Sequence, residues 1–159
     1  MSRTLVAYYS MSGNTRALAN EISTKLGADL EEITEPTPRR GAIGMARAMF
    51  DALLHRSPPI APTTHDPARY DVLLIGGPVW AGHIASPMRS FAARYGPSAA
   101  HVAFFCTEGG HGAESAFAEL EQLCRNTPDA TLAVDSRHMP PEAHRVDVHN
   151  FASTLRTLH

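Results

Sequence analysis

A hydroxyl-rich turn, Ser10-Met11-Ser12-Gly13-Asn14-Thr15-Arg16, follows directly on the apolar run Leu5-Val6-Ala7-Tyr8-Tyr9 and leads into a helical pattern. A strand, a turn and a helix in that order aim unpaired backbone N–H groups and the positive end of a helix dipole at one point, which is a place to hold a phosphate. Ser10, Ser12, Asn14 and Thr15 add short donors without positive charge. That chemistry suits a phosphate monoester. Other phosphate loops ask for other residues: a nucleotide-hydrolase P-loop needs Lys and Ser/Thr after its second glycine, and a dinucleotide fingerprint needs three glycines. Only Gly13 is present in this stretch. Ser10 and Arg16 copy the spacing of the cysteine and arginine in a tyrosine-phosphatase loop, but a serine without an adjacent base is a poor nucleophile. No catalytic residue is therefore assigned. The competing reading is a Ser/Asn-rich turn that caps a helix and does nothing more.

Two further segments carry unusual composition. Gly76-Gly77-Pro78-Val79-Trp80-Ala81-Gly82-His83-Ile84 holds the one tryptophan of the chain between a rigid proline and a glycine. A tryptophan in a loop beyond a strand end is a stacking surface for a planar ligand, although a lone Trp also serves as core. Thr107-Glu108-Gly109-Gly110-His111-Gly112 has three glycines in six residues, which lets backbone amides approach a ligand closely. Set beside a phosphate cradle, the two segments read as a slot for a flat heterocycle with a ribityl-phosphate tail.

The elements that must position these loops follow from periodicity. Strands are expected at Thr4–Tyr9, Asp29–Ile33, Asp71–Gly76, His101–Cys106 and Thr131–Val134, with Pro36 and Pro38 closing the second. Helices are expected near Thr15–Leu26, Gly41–His55, from Pro87, over Gly112–Arg125 and over His149–Leu158. In the second helix Ile43, Ala46, Met49, Phe50, Leu53 and Leu54 recur at helical spacing and are expected to face inward. Strands alternating with helices predict a three-layer, doubly wound α/β domain, because right-handed crossovers permit little else. The expected sheet is five-stranded and parallel in the order 2-1-3-4-5, and it gathers the three loops at its carboxyl edge.

At 159 residues and 43% hydrophobic content the chain predicts one domain over residues 1–159. A net charge of −2 leaves no broad basic field for nucleic acid. No apolar run approaches the roughly 20 residues that span a bilayer, and the expected location is cytoplasmic. Cys106 and Cys124 are too few for a disulfide framework, and nine scattered histidines lack the spacing of metal ligands. No metal site is expected.

In its three loops the chain resembles the flavodoxin family. Ser10–Thr15 resembles the family's phosphate loop, Gly77-Pro78-Val79-Trp80-Ala81-Gly82 with Pro87 its second flavin-contacting loop, and Thr107-Glu108-Gly109-Gly110 its third. The uninterrupted fifth strand makes the chain similar to the short-chain form. The resemblance implies non-covalent FMN and electron transfer. The expected contacts are the N–H groups of residues 12–16 with the Ser10, Ser12, Asn14 and Thr15 side chains on the phosphate, Trp80 over one ring face, and backbone groups of Thr107 to His111 on the pyrimidine edge. Gly82, free to take positive φ, makes the Ala81–Gly82 peptide the expected redox-responsive element. The chain departs from many flavodoxins in offering Glu108 and His111 where a stacking tyrosine stands, and in its modest charge. These departures keep open a second activity, an NAD(P)H-dependent quinone reductase on the same fold, in which a nicotinamide stacks on the exposed ring. The expected partner is a redox protein or a small acceptor such as a quinone, and a homodimer remains open.

Overall fold

The computed structural model describes every residue except Met1, Pro38, Met139 and His159, with the backbone alone at Pro141. Pro38, expected to help close the second strand, therefore lies outside the described residues. In chain order the elements are β1 (Thr4–Tyr8), α1 (Asn14–Leu26), β2 (Asp29–Glu32), α2 (Gly41–Leu53), β3 (Val72–Trp80), β4 (His83–Ile84), α3 (Ser86–Tyr95), β5 (His101–Glu108), α4 (Ala113–Cys124), β6 (Thr131–Asp135) and α5 (Pro141–Arg156). The main sheet runs β2-β1-β3-β5-β6 with every neighbouring pair parallel. That is the expected order of five strands, with β4 added beside β3. Among the described residues no helix is long and apolar enough to cross a membrane.

Continuous apolar strands in the middle of the sheet are explained by burial on both faces. Leu5, Ala7, Leu73, Ile75, Val102 and Phe104 point to one side, where α2, α3 and α4 supply Ala48, Ala52, Met88, Phe91 and Leu120. Val6, Tyr8, Val72, Leu74, Ala103 and Phe105 point to the other, against Leu18 and Ile22 of α1 and Val148, Phe151 and Leu155 of α5. The period-2 alternation of side chains thus feeds two cores from one set of strands. Gly76 is required where β3 passes β5, because a Cβ there would enter the Phe105 ring.

Three expectations need correction. The third strand does not stop at Gly76. It runs on to Trp80 and turns back antiparallel into β4, with Trp80 opposite His83. The two turn residues, Ala81 at φ 49° and Gly82 at φ 79°, have the paired positive φ of a tight hairpin whose twist matches its strands. Helix α5 begins at Pro141 rather than near His149, since a proline at the first helical position is preorganised for a start. Helix α2 faces the wrong way round: its buried residues are Gly44, Ala48, Asp51 and Ala52, whereas Ile43, Met49, Phe50, Leu53 and Leu54 are exposed.

Candidate functional site

The carboxyl ends of β1, β3 and β5 lie side by side, so their loops meet at one edge. The first loop is built around Gly13, in the left-handed region at φ 100°. A side chain there would be strained, yet the space beside its Cα is open. The Gly13 N–H donates to Ser10 Oγ (3.1 Å), which folds the turn. Helix α1 has no side-chain cap and no acidic residue in its first turn. The Ala17 N–H is bonded to the Gly13 carbonyl (3.0 Å), so the N–H groups of Asn14, Thr15 and Arg16 stand ahead of the helical ladder. Ser12 is exposed and Asn14 half-buried. Arg16 turns outward to pair with Glu32 and leaves the loop to neutral donors.

Thr15 is fully buried, and its hydroxyl is hydrogen-bonded to that of Thr107 (2.8 Å). The bond ties the first loop to the third across the sheet edge. In the third loop Glu108 is turned inward: its carboxylate accepts the Ala113 N–H (2.8 Å) at the start of α4, and its carbonyl accepts from the Ser136 N–H (2.7 Å). Gly109, Gly110 and His111 are exposed. Gly110, at φ 98°, packs under the Arg137 guanidinium. The second and third loops meet at Gly112, where a Cβ would stand 2.9 Å from Val79 Cγ1 and 3.3 Å from the Gly82 Cα.

The hairpin is held from α4 as well. Ser115 Oγ donates to the Gly82 carbonyl (2.6 Å), and His83 Nδ1 lies 2.9 Å from Glu119 Oε2. Arg89 of α3 donates to the same carboxylate oxygen (3.1 Å) and to the His55 carbonyl (2.8 Å). His55, His83 and Glu119 place their ligand atoms within 4.8 Å of one another, but the guanidinium of Arg89 already provides the positive charge among them. None of these partners was legible from spacing, since β4, α3, α4 and the segment beyond α2 supply them.

Trp80 does not stand free. It is 7% exposed, edge-on to Tyr9 at 5.6 Å between centroids, with the Arg39 guanidinium 5.4 Å from its ring centroid. Half-buried Pro78 and Val79 and exposed Ala81 present the accessible surface of this loop. Burial acts against the charge of Arg39, but hydrogen bonds to Asp51 and Glu35 outweigh it and hold the group protonated. The Tyr9 hydroxyl is pushed up by burial and by the charge of Glu35. Met11 packs beside these groups, and Tyr9, Ser10, Met11, Ile33 and Arg39 line a cavity of about 150 Å³. Cys106, one residue from Thr107, is pushed up to about 12 by burial and by the charge of Glu108, so its thiol is not a nucleophile at neutral pH.

The donor set fits a phosphate group: open N–H groups at a helix start, hydroxyls rather than cations, and a glycine whose missing side chain keeps the approach clear. A family model described as Flavodoxin matches residues 3–135. A flavoprotein from Lactobacillus acidophilus, solved in complex with FMN, superposes with a TM-score of 0.72 over 94% of this chain and 99% of its own, at 22% identity. Two-electron reduced flavodoxin from Megasphaera elsdenii gives a TM-score of 0.59 over 95% and 98%, also at 22% identity. A protein of Cupriavidus metallidurans named NAD(P)H dehydrogenase (quinone) is 31% identical over 96 residues. That match takes in 57% of this chain and 45% of the relative, so it spans less than half the relative's length. By its sequence and by the strand order that gathers its three loops, the chain belongs to the flavodoxin family, the FMN-binding redox proteins.

Proposed function

We propose that the three loops hold one non-covalent FMN and that the chain passes its electrons to a redox protein or a small acceptor. FMN supplies the redox chemistry, taking up and releasing one or two electrons on its ring. The residues supply everything else. The N–H groups of Asn14, Thr15 and Arg16, with the Ser12 hydroxyl and the Asn14 amide, bind the phosphate dianion, and the positive end of α1 favours its charge by up to about 1 kcal/mol. Ser10 keeps the turn in shape, and the Thr15–Thr107 bond fixes the distance between the phosphate end and the third loop. Exposed backbone at Gly109, Gly110 and His111 reads the polar edge of the ring, where hydrogen-bond donors are needed.

The second loop provides a wall and one movable peptide. Pro78, Val79 and Trp80 form the wall, with Trp80 contributing its remaining edge. Ser115 holds the Gly82 carbonyl and so fixes the peptide after Gly82. The preceding Ala81–Gly82 peptide is the one left to rotate, exchanging a donor N–H for the Ala81 carbonyl toward the groove. A left-handed Ala81 costs about 1 kcal/mol, a cost set by the two-residue hairpin that places it there.

The observation that carries this reading is the bare N-terminus of α1 tied by Thr15 to Thr107. Protein purified from a recombinant host should be yellow, and denaturation should release FMN into the supernatant. Colourless protein that gains no flavin spectrum on FMN addition contradicts the reading. The Cupriavidus match favours a second activity, two-electron reduction of quinones by NAD(P)H. Steady turnover of NAD(P)H and a quinone by the isolated protein supports it, and dependence on a separate reductase excludes it. Two buried free thiols accord with a reducing, cytoplasmic setting.

A further inference from the structure

Helix α2 is built inside out. Among the described residues, six of the seven exposed large apolar side chains belong to it or to its last turn: Ile43 at 85% exposure, Met45, Met49, Phe50 at 53%, Leu53 at 60% and Leu54. Its inner face carries Gly44, Ala48 and Ala52. The helix cannot roll over to bury the large residues, because two devices fix its orientation. Asp51 is buried and bonded to Arg39 (2.6 Å), which is itself bonded to Glu35 (2.7 Å). Gly44 lies so close to the loop before the helix that a Cβ would stand 2.7 Å from the Arg39 carbonyl carbon. Rolling the helix would break the buried ion cluster and turn a side chain into the space against the Arg39 backbone that only Gly44 fits.

The outward residues are ordered. Ile43, Ala46, Phe50 and Leu53 are spaced three, four and three apart, the interval of a coiled-coil seam, and Met49 and Leu54 flank it. The charged residues within the helix are turned back onto their own chain: Asp51 to Arg39, and Arg47 to Glu35 (3.3 Å) and the Thr37 carbonyl (3.3 Å). Just beyond the helix Arg56 lies against the Phe50 ring (5.1 Å). Arg56 is itself paired with Asp51 (3.9 Å), so the centre of the face presents no unpaired charge to an acidic protein or an anionic lipid.

We propose that this face is a two-fold interface between two copies of the chain, with their α2 helices antiparallel. In that arrangement Ile43 of one copy meets Leu53 and Leu54 of the other, the small Ala46 makes room for Phe50, and Met49 sits near the axis. A symmetric contact of this kind uses one self-complementary patch twice. Covering Ile43, Ala46, Met49, Phe50, Leu53 and Leu54 in both copies removes on the order of 1,200 Å², the lower end of what specific stable interfaces bury. This association does not depend on FMN, so it stands or falls separately from the flavin assignment.

Sedimentation velocity on the flavin-loaded protein, over roughly two decades of micromolar concentration, should give twice the chain mass. The double variant Ile43→Glu/Phe50→Glu should sediment as a monomer, its dissociation constant raised at least about 100-fold, while its flavin spectrum and circular dichroism stay unchanged. Met49→Cys treated with diamide should form a disulfide-linked dimer, since Cys106 and Cys124 are buried and do not compete. A wild-type monomer with no Met49→Cys cross-link overturns the proposal, as does a dimer that survives both glutamates. Co-sedimentation of a monomeric wild type with phosphatidylglycerol vesicles also overturns it, in favour of a lipid surface.

Discussion

Helices α1 and α2 are each 13 residues long and follow the first and second strands, yet they solve opposite problems. Helix α1 buries Leu18, Ala19 and Ile22, exposes Arg16 and Asn20, and keeps its N-terminus free of caps. Helix α2 buries small residues and a charge, and leaves its large apolar residues outside. The first is held by apolar packing and offers its end to a ligand. The second is held by an ion cluster and offers its side. An apolar periodicity therefore marks a helix face, and it does not say whether that face points into the core or out of it.

Substitutions can break this contrast, beginning with the largest effect. Asp51→Ala leaves the buried Arg39 with one carboxylate fewer and should cost about 3–5 kcal/mol in denaturant unfolding. A loss below about 1 kcal/mol would remove the ion cluster as the anchor of α2. Leu18→Ala in α1 should cost about 2–5 kcal/mol, whereas Met45→Ala, an equally apolar position on the outside of α2, should stay within about 0.5 kcal/mol. Similar losses for both would mean that Met45 is packed within the monomer.

A smaller effect concerns the two ends of the flavin site. Thr15→Val keeps the backbone donors but removes the bond to Thr107, so FMN affinity should fall by roughly tenfold, about 1–1.5 kcal/mol, and riboflavin affinity by less. Equal losses for both ligands would detach Thr15 from the phosphate end. The smallest effect is on pH dependence. Burial pushes the Cys106 and Cys124 thiols up to about 12, so the folded state favours the protonated form. Their contribution to stability is complete below the unfolded value near 9 and fades as pH rises from there toward 12, where the unfolded chain has released protons that the folded one retains. At pH 8 neither thiol should react with Ellman's reagent until guanidinium unfolds the chain.

The order of the sheet was legible in the sequence because runs such as Val72–Ile75 and His101–Cys106 have no other stable place than a covered strand. So was the meeting of the three loops, since strand order alone brings their ends together. The extension of β3 to Trp80 was hidden by Gly76, Gly77 and Pro78, residues that ordinarily mark a loop but here admit the Phe105 ring and open a hairpin. The same extension explains why Trp80 is packed on Tyr9 instead of standing in solvent. Tertiary partners from distant elements, among them Ser115 on the Gly82 carbonyl, Arg39 over Trp80 and Arg137 over Gly110, leave no local signature. The inversion of α2 was hidden for a related reason: Asp51 reads as a surface charge until its partner Arg39 is found on the inner side.

The most direct test is a titration of the flavin-free protein with FMN and with riboflavin, followed by quenching of flavin fluorescence. The account predicts strong quenching by a single FMN per chain and binding of riboflavin at least about tenfold weaker, because the neutral donors at the head of α1 act on the phosphate alone. Equal affinity for the two flavins, or no quenching of FMN, would contradict it.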